Sequence, residues 1–285
     1  MKKQIKYKID INEAYLHELG ITNSDSAIKP KMTKKFKQIS RFVELLSERI
    51  ILTGVSKQSK VKVLDIGAGK GYVTFAIYKH LRDIGVTPVV DAVEMNEDLT
   101  VDGNKTAKIC KFDGLTFYSL LAEDYTPEHY YDAVISLHAC DTATDDALLI
   151  GMEKRSRIIV CAPCCQKEVL PQVKSSKVLA KFIKNGLFLH KMADLITDNA
   201  RVMLLQSQGY KVDVIDFVAS EHSPKNTMLI ATKRRGKQKK YYDQFKSYKI
   251  ENGFQTFKLE DMMIRSKLID AKWLDVDQQQ PISVS

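Results

Sequence analysis

The segment SLHACDTATDDALLIGMEKRSRIIVCAPCC, residues 136–165, concentrates chemistry-bearing side chains: it holds one of the six histidines and four of the five cysteines. His138, Cys140, Cys164 and Cys165 are of the right types for a tetrahedral zinc site. Adjacent cysteines rarely aim at one metal, however, and the Cys161–Cys164 spacing is not backed by a second C-x-x-C, so no bound metal is expected. A thiolate at Cys164 or Cys165 is a possible nucleophile, with Asp141 or His138 handling a proton. Alternatively His138, whose ordinary pKa is about 6.5, takes a proton from a substrate hydroxyl while Asp141 orients the ring or contacts substrate. The plain alternative is packing, since cysteines are among the most buried residue types. It suits Cys161, which falls within a strand, and Cys110 has no evident role.

A second group is Asp65-Ile66-Gly67-Ala68-Gly69-Lys70-Gly71, which directly follows the apolar run VKVLDI. Glycines in this place let the backbone approach a ligand and turn into a helix N-terminus. A dinucleotide fingerprint would need glycine at position 72, which is Tyr72. Glu94 ends the next apolar run and is suited to accept both hydroxyls of a ribose.

The elements that must position these groups are legible as alternating patterns. Strands are predicted at 61–66, 89–94, 115–121, 131–137, 157–162, 209–219 and 226–233. The first five alternate with helical stretches, which indicates a parallel sheet with crossover helices. The last two are joined by the short loop SEHSPK, too short for a crossover, so they pair antiparallel. Residues 33–52 carry Phe36, Ile39, Val43, Leu46 and Ile50 at helical spacing, with Thr33 as the expected N-cap and Lys34, Lys35, Lys37 and Arg41 off the apolar stripe. Residues 176–208 read as mostly helical, with a break at Gly186. In a doubly wound sheet ligands sit outside the carboxyl ends of the strands, so the segments after strands four and five should face each other across one pocket.

The net charge of +9 is unevenly spread. Residues 1–60 carry thirteen Lys/Arg against six Asp/Glu, and Lys233 to Lys240 add six cations without an acid, which leaves a mildly acidic centre. Basic flanks of this kind suit a phosphate-rich partner such as RNA. No run of about 18 uncharged apolar residues is present, so no membrane span is expected. The odd cysteine count argues against a disulfide framework, and a cytoplasmic protein is expected.

With Asp65 before the glycines, Glu94 at the next strand end and the closing hairpin, the chain resembles the class I S-adenosylmethionine-dependent methyltransferases over residues 58–233. The resemblance implies an α/β fold with a Rossmann-like seven-stranded, mostly parallel sheet ending in an antiparallel hairpin. Residues 1–57 would be a basic, largely helical extension, and 234–285 a basic, partly disordered tail. It implies S-adenosyl-L-methionine as cofactor, cradled by Asp65, Gly67, Ala68, Gly69 and Gly71 and held at the ribose by Glu94. Ala122, Glu123 and Asp124 would lie at the adenine, and Ser136 and Leu137 would complete the site. His138-x-Cys140, with Thr144-Asp145 and the downstream Cys164-Cys165, is similar to a narrower methyltransferase-domain family. A distant relative of that family 2′-O-methylates the tRNA acceptor stem. Together with the basic flanks this distant kinship favours RNA, tRNA or rRNA, as substrate, the alternatives being a small molecule or a protein, or a nucleic-acid-binding protein that keeps the fold without turnover; His138, Asp141, Cys164 and Cys165 are expected beside the transferred methyl group. SLHAC stands where the Asn/Asp-Pro-Pro-Tyr tetrapeptide of amino-group methyltransferases would be.

Overall fold

The computed structural model describes residues 8–127, 129–137, 142–163, 168–176, 179, 183–217 and 226–274. Seven strands form one sheet: β1 Lys60–Ile66, β2 Thr87–Glu94, β3 Leu115–Ser119, β4 Ala133–Leu137, β5 Ile158–Ala162, β6 Tyr210–Asp216 and β7 Thr227–Lys233. Their order is β3-β2-β1-β4-β5-β7-β6. The first five run parallel, and β7 is inserted antiparallel between β5 and β6. This is the seven-stranded α/β sheet expected from the sequence. β3 stops at Ser119, two residues short of the expected end, because the chain then turns into a short 3-10 segment, Ala122–Asp124.

The helices are α1 Ala14–Glu18, α2 Thr33–Leu52, α3 Tyr72–Asp83, α4 Glu97–Ile109, α5 Thr142–Glu153, α6 Val169–Ser175, α7 Gly186–Ser207, α8 Lys239–Glu251 and α9 Lys258–Arg265. Alternate residues of each inner strand serve opposite faces. Ile158, Val160 and Ile230 pack in one apolar cluster with Phe42, Val43 and Leu46 of α2 and Phe75, Ala76 and Ile77 of α3. Ile159, Cys161, Leu229 and Ala231 pack in the other, with Leu204 and Leu205 of α7 and Phe245 of α8. The apolar stripe of α2 is thus buried as predicted. Its expected cap is different: Thr33 is the first helical residue and Met32 occupies the cap position, because the 3-10 turn Pro30–Met32 runs straight into the helix. α2 is pinned at its far end by Arg49, which pairs with Asp213 of β6 at 3.1 Å. Gly186 opens α7, with the Asn185 side chain accepting from the Leu187 N–H.

The stretch after β7 is folded at least to residue 274. Tyr242, Phe245, Leu259, Met263 and Trp273 are all buried in the second cluster. Tyr242 and Lys249 both bond the buried Glu260, at 2.9 and 2.5 Å, which ties α8 to α9. The terminal DQQQPISVS lies outside the described residues, as does the SEHSPK loop. Among the described residues no helix is long and apolar enough to cross a membrane.

Candidate functional site: a glycine-loop cleft

At the carboxyl ends of β1 and β2 the chain builds a cleft of about 280 Å³. Asp65, Gly67, Ala68, Gly69, Glu94 and Leu137 line it, and these six were all expected at the site. Lys35, Lys70, Tyr72 and Val73 line it as well and were not foreseen. Lys35 comes from the first turn of α2, where nothing in its local pattern announces a pocket. It is half-buried, and burial pushes its ammonium pKa down from the ordinary value. Among the described residues it makes no ion pair, and it brings a cation to a cleft that also holds the Asp65 and Glu94 carboxyls.

The loop is held open by backbone geometry. Gly67, Gly69 and Gly71 have φ of 72°, 56° and 71°, in the left-handed region that disfavours side chains. The N–H groups of Gly67 and Ala68 both donate to the Val93 carbonyl, at 2.8 and 3.1 Å, which fastens the loop to β2. A Cβ at Gly69 would meet nothing within 4 Å, so its face is open to a ligand. Gly71 differs. A Cβ there would lie 2.6 Å from the Phe117 ring, so Gly71 serves the packing of α3 against β3 and does not line the cleft.

Two carboxylates flank the loop. Asp65 is 3% exposed, and burial pushes its carboxyl up to about 7, although Thr74 Oγ1 donates to it at 2.6 Å; the neighbouring Glu94 charge pushes the same way as burial. Glu94 accepts from the Gly69 N–H at 2.9 Å through one oxygen and from the Asn96 N–H at 3.0 Å through the other. Each carboxylate oxygen offers two lone pairs, so acceptor capacity remains for hydroxyl donors. Beside Glu94 the surface is apolar. Met95 is 71% exposed, and Tyr118, Leu120 and Leu121 at the end of β3 are exposed too. The Leu120 N–H donates to the Glu94 carbonyl at 3.2 Å, which holds that apolar face next to the acid.

This set fits S-adenosylmethionine. The glycine loop admits a chain close to the backbone, Glu94 offers acceptors for ribose hydroxyls, and the apolar face beside it suits a flat base. Asp65 lies where a cationic ligand would favour its ionised form. Ala122, Glu123 and Asp124 form the short turn beyond β3 and do not line the cleft. Ser136 is buried, its hydroxyl has no hydrogen-bond partner among the described residues, and it does not line the cleft either. His138, Asp141, Cys164 and Cys165 lie outside the described residues. The points where their segments leave the sheet are neighbours, since Ser136 pairs with Cys161 and Leu137 with Ala162 in the parallel register of β4 and β5. Cys161 is buried within β5, which pushes its thiol up to about 12, so it is an inert packing residue. Arg201, 2% exposed, pairs with Asp145 at 2.8 Å and anchors the start of α5 to α7.

Comparison with known proteins agrees with this geometry. Residues 34–172 match the family described as "Methyltransferase domain". A tRNA1(Val) (adenine(37)-N6)-methyltransferase of Pedobacter heparinus is 32% identical over 92 residues, a match that covers 32% of this chain and 38% of that relative's length. Among solved structures, magnesium protoporphyrin IX methyltransferase of Synechocystis PCC 6803 with bound SAH has a TM-score of 0.48 at 13% identity, covering 77% of this chain and 93% of its own. An rRNA methylase of Streptococcus thermophilus has a TM-score of 0.42 at 10% identity, covering 66% and 95%. The family match begins in α2 and runs through the glycine loop into α6. Over residues 34–172 the chain is thus similar to a methyltransferase domain, and the cleft at the carboxyl ends of β1 and β2 lies within that match.

Proposed function

We propose that the chain transfers the methyl group of S-adenosylmethionine to RNA, a tRNA or an rRNA. The observation that carries the methyl-transfer half is the cleft that gathers Asp65, Gly67, Gly69 and Glu94 at the strand ends. The RNA half is supported by the basic flanks of a mildly acidic centre and by the tRNA methyltransferase to which part of the chain is similar. The cofactor supplies an electrophilic methyl group, and the protein's task is mainly to hold donor and acceptor in line. Asp65, Glu94, Lys35 and the loop backbone bind and orient the donor. His138, Asp141, Cys164 and Cys165 form the wall facing the methyl group, with His138 as the base that takes a hydroxyl proton and without a bound metal. The adjacent exits of β4 and β5 support that grouping. The odd cysteine count of the sequence favours a cytoplasmic setting.

The test is transfer of labelled methyl from S-adenosylmethionine to total cellular RNA, with protein and small-molecule fractions in parallel, followed by mass spectrometry of the labelled nucleoside. Label is expected in RNA. His138→Ala should lower transfer by about 10²–10⁴-fold with cofactor affinity nearly intact. Label found only in protein or small molecules would overturn the RNA reading. One equivalent of tightly bound zinc, with His138→Ala and Cys164→Ser both unfolding the protein, would replace the base with a metal site.

A further inference from the structure

A larger cleft, of about 600 Å³, lies away from the glycine loop. It is lined by Lys211 at the start of β6, by Arg234 and Arg235 just after β7, and by Lys240 and Tyr241 of α8. No carboxylate is among its lining residues. Arg234, Arg235 and Lys240 make no ion pair with a described residue, and the Lys240 ammonium sits 4.8 Å from the Tyr241 ring centre. Lys233 beside them is lowered in pKa by burial and by the neighbouring Arg155 and Lys237 charges.

The cleft is built from fixed backbone. The N–H groups of Arg234 and Arg235 both donate to the Gly209 carbonyl at 3.1 Å, and the Gln238 N–H donates to the Ser207 carbonyl at 2.7 Å. Gly209 has φ of 83°, and a Cβ there would lie 2.3 Å from the Arg235 carbonyl oxygen. The two arginines are thereby presented from a tight crossing of the chain, with long side chains free to reach outward.

The position matters as much as the charge. Tyr210 pairs with Lys233, and Ile158, the first residue of β5, pairs with Thr232. The basic cleft therefore sits at the starting ends of the parallel strands, opposite the methyl cleft. A five-residue strand at about 3.3 Å per residue separates the two ends by about 17 Å or more. We infer that the Lys211, Arg234, Arg235 and Lys240 cleft binds phosphodiester groups of a polynucleotide whose target nucleotide lies in the methyl cleft, so that the substrate is a folded RNA long enough to reach both ends of the sheet. This rests on the RNA reading above.

The experiment compares the full-length protein with Arg234→Gln/Arg235→Gln/Lys240→Gln and with a charge-matched control, Lys57→Gln/Lys108→Gln/Lys111→Gln, drawn from exposed lysines elsewhere. Binding of total tRNA is measured over a range of salt, together with labelled methyl transfer and thermal melting. Three lost phosphate contacts should reduce the slope of log affinity against log salt by roughly 2–3. The cleft variant is expected to show that drop with unchanged melting and cofactor affinity, and the control is not. Transfer to a trinucleotide carrying the target base should be the same in both. An unchanged slope in a cleft variant that still methylates RNA overturns the cleft and spares the RNA reading. A reduced slope with no transfer to RNA by the parent protein leaves the cleft as a polynucleotide site but overturns the RNA reading and, with it, the placement of a target nucleotide in the methyl cleft. Competition by inorganic phosphate or by polyglutamate as strong as that by tRNA overturns the polynucleotide assignment. An equal drop in the control reduces the effect to net charge and overturns the cleft as a site.

Discussion

Asp65 shows how a single buried group can report on cofactor binding. Burial raises its carboxyl to about 7 in the folded protein, against an ordinary value of 3.8. Between those values the folded protein holds a proton that the unfolded chain has released, so this residue's contribution to stability falls as pH rises through about 4 to 7. S-adenosylmethionine is cationic at sulfur and favours the ionised carboxylate. Its affinity should therefore rise several-fold from pH 6 to pH 8 in calorimetric titrations. Asp65→Asn should bind more weakly and lose that dependence; an equally steep dependence in the variant would assign it to another group. Asp65, Gly67, Gly69 and Glu94 were legible in the sequence because their spacing after two apolar strands fixes where they fall. Lys35 was not, because its place in the cleft depends on how α2 crosses the sheet, some thirty residues before the loop. Gly71 was read as a cofactor glycine, but the Phe117 ring stands where its side chain would go.

That ring links three elements. Phe117 of β3 is buried and fills the space where a Cβ would stand on Gly71, at the start of α3, and on Gly103, within α4. A glycine inside a helix is ordinarily worth replacing, since alanine is better by about 1 kcal/mol. At Gly103 the sign should reverse, because the new Cβ would lie 2.8 Å from the Phe117 ring. Overpacking of this kind costs about 1–3 kcal/mol. Gly103→Ala should lower denaturant stability by that order, and Phe117→Leu in the same chain should recover part of the loss. A Gly103→Ala protein more stable than the parent would refute this packing. The seven strands and α2 were legible from periodicity because each buries a whole face or stripe. Helices α8 and α9 were not, since Tyr242, Phe245, Leu259 and Met263 stand among dense charge and are buried against α7, α5 and the Trp273 turn, which only the fold brings to them.

Across the whole molecule, two clefts of different character occupy opposite ends of one sheet. One is small, flanked by glycines and two carboxylates; the other is larger and lined by cations. The uneven charge of the sequence foreshadowed the second, but only the return of β7 beside β6 brings Lys211 to Arg234 and Arg235. The central claim is that the glycine-loop cleft is the S-adenosylmethionine site, and direct calorimetric titration of the cofactor tests it. Gly67→Val forces a branched side chain onto a φ of 72° at the loop, and Glu94→Ala removes the acceptor beside it. Each charge-assisted hydrogen bond lost costs about 1.5–3 kcal/mol. Both variants should keep a folded melting transition and bind S-adenosylmethionine about tenfold or more weakly than the parent. Unchanged affinity in both would contradict the account.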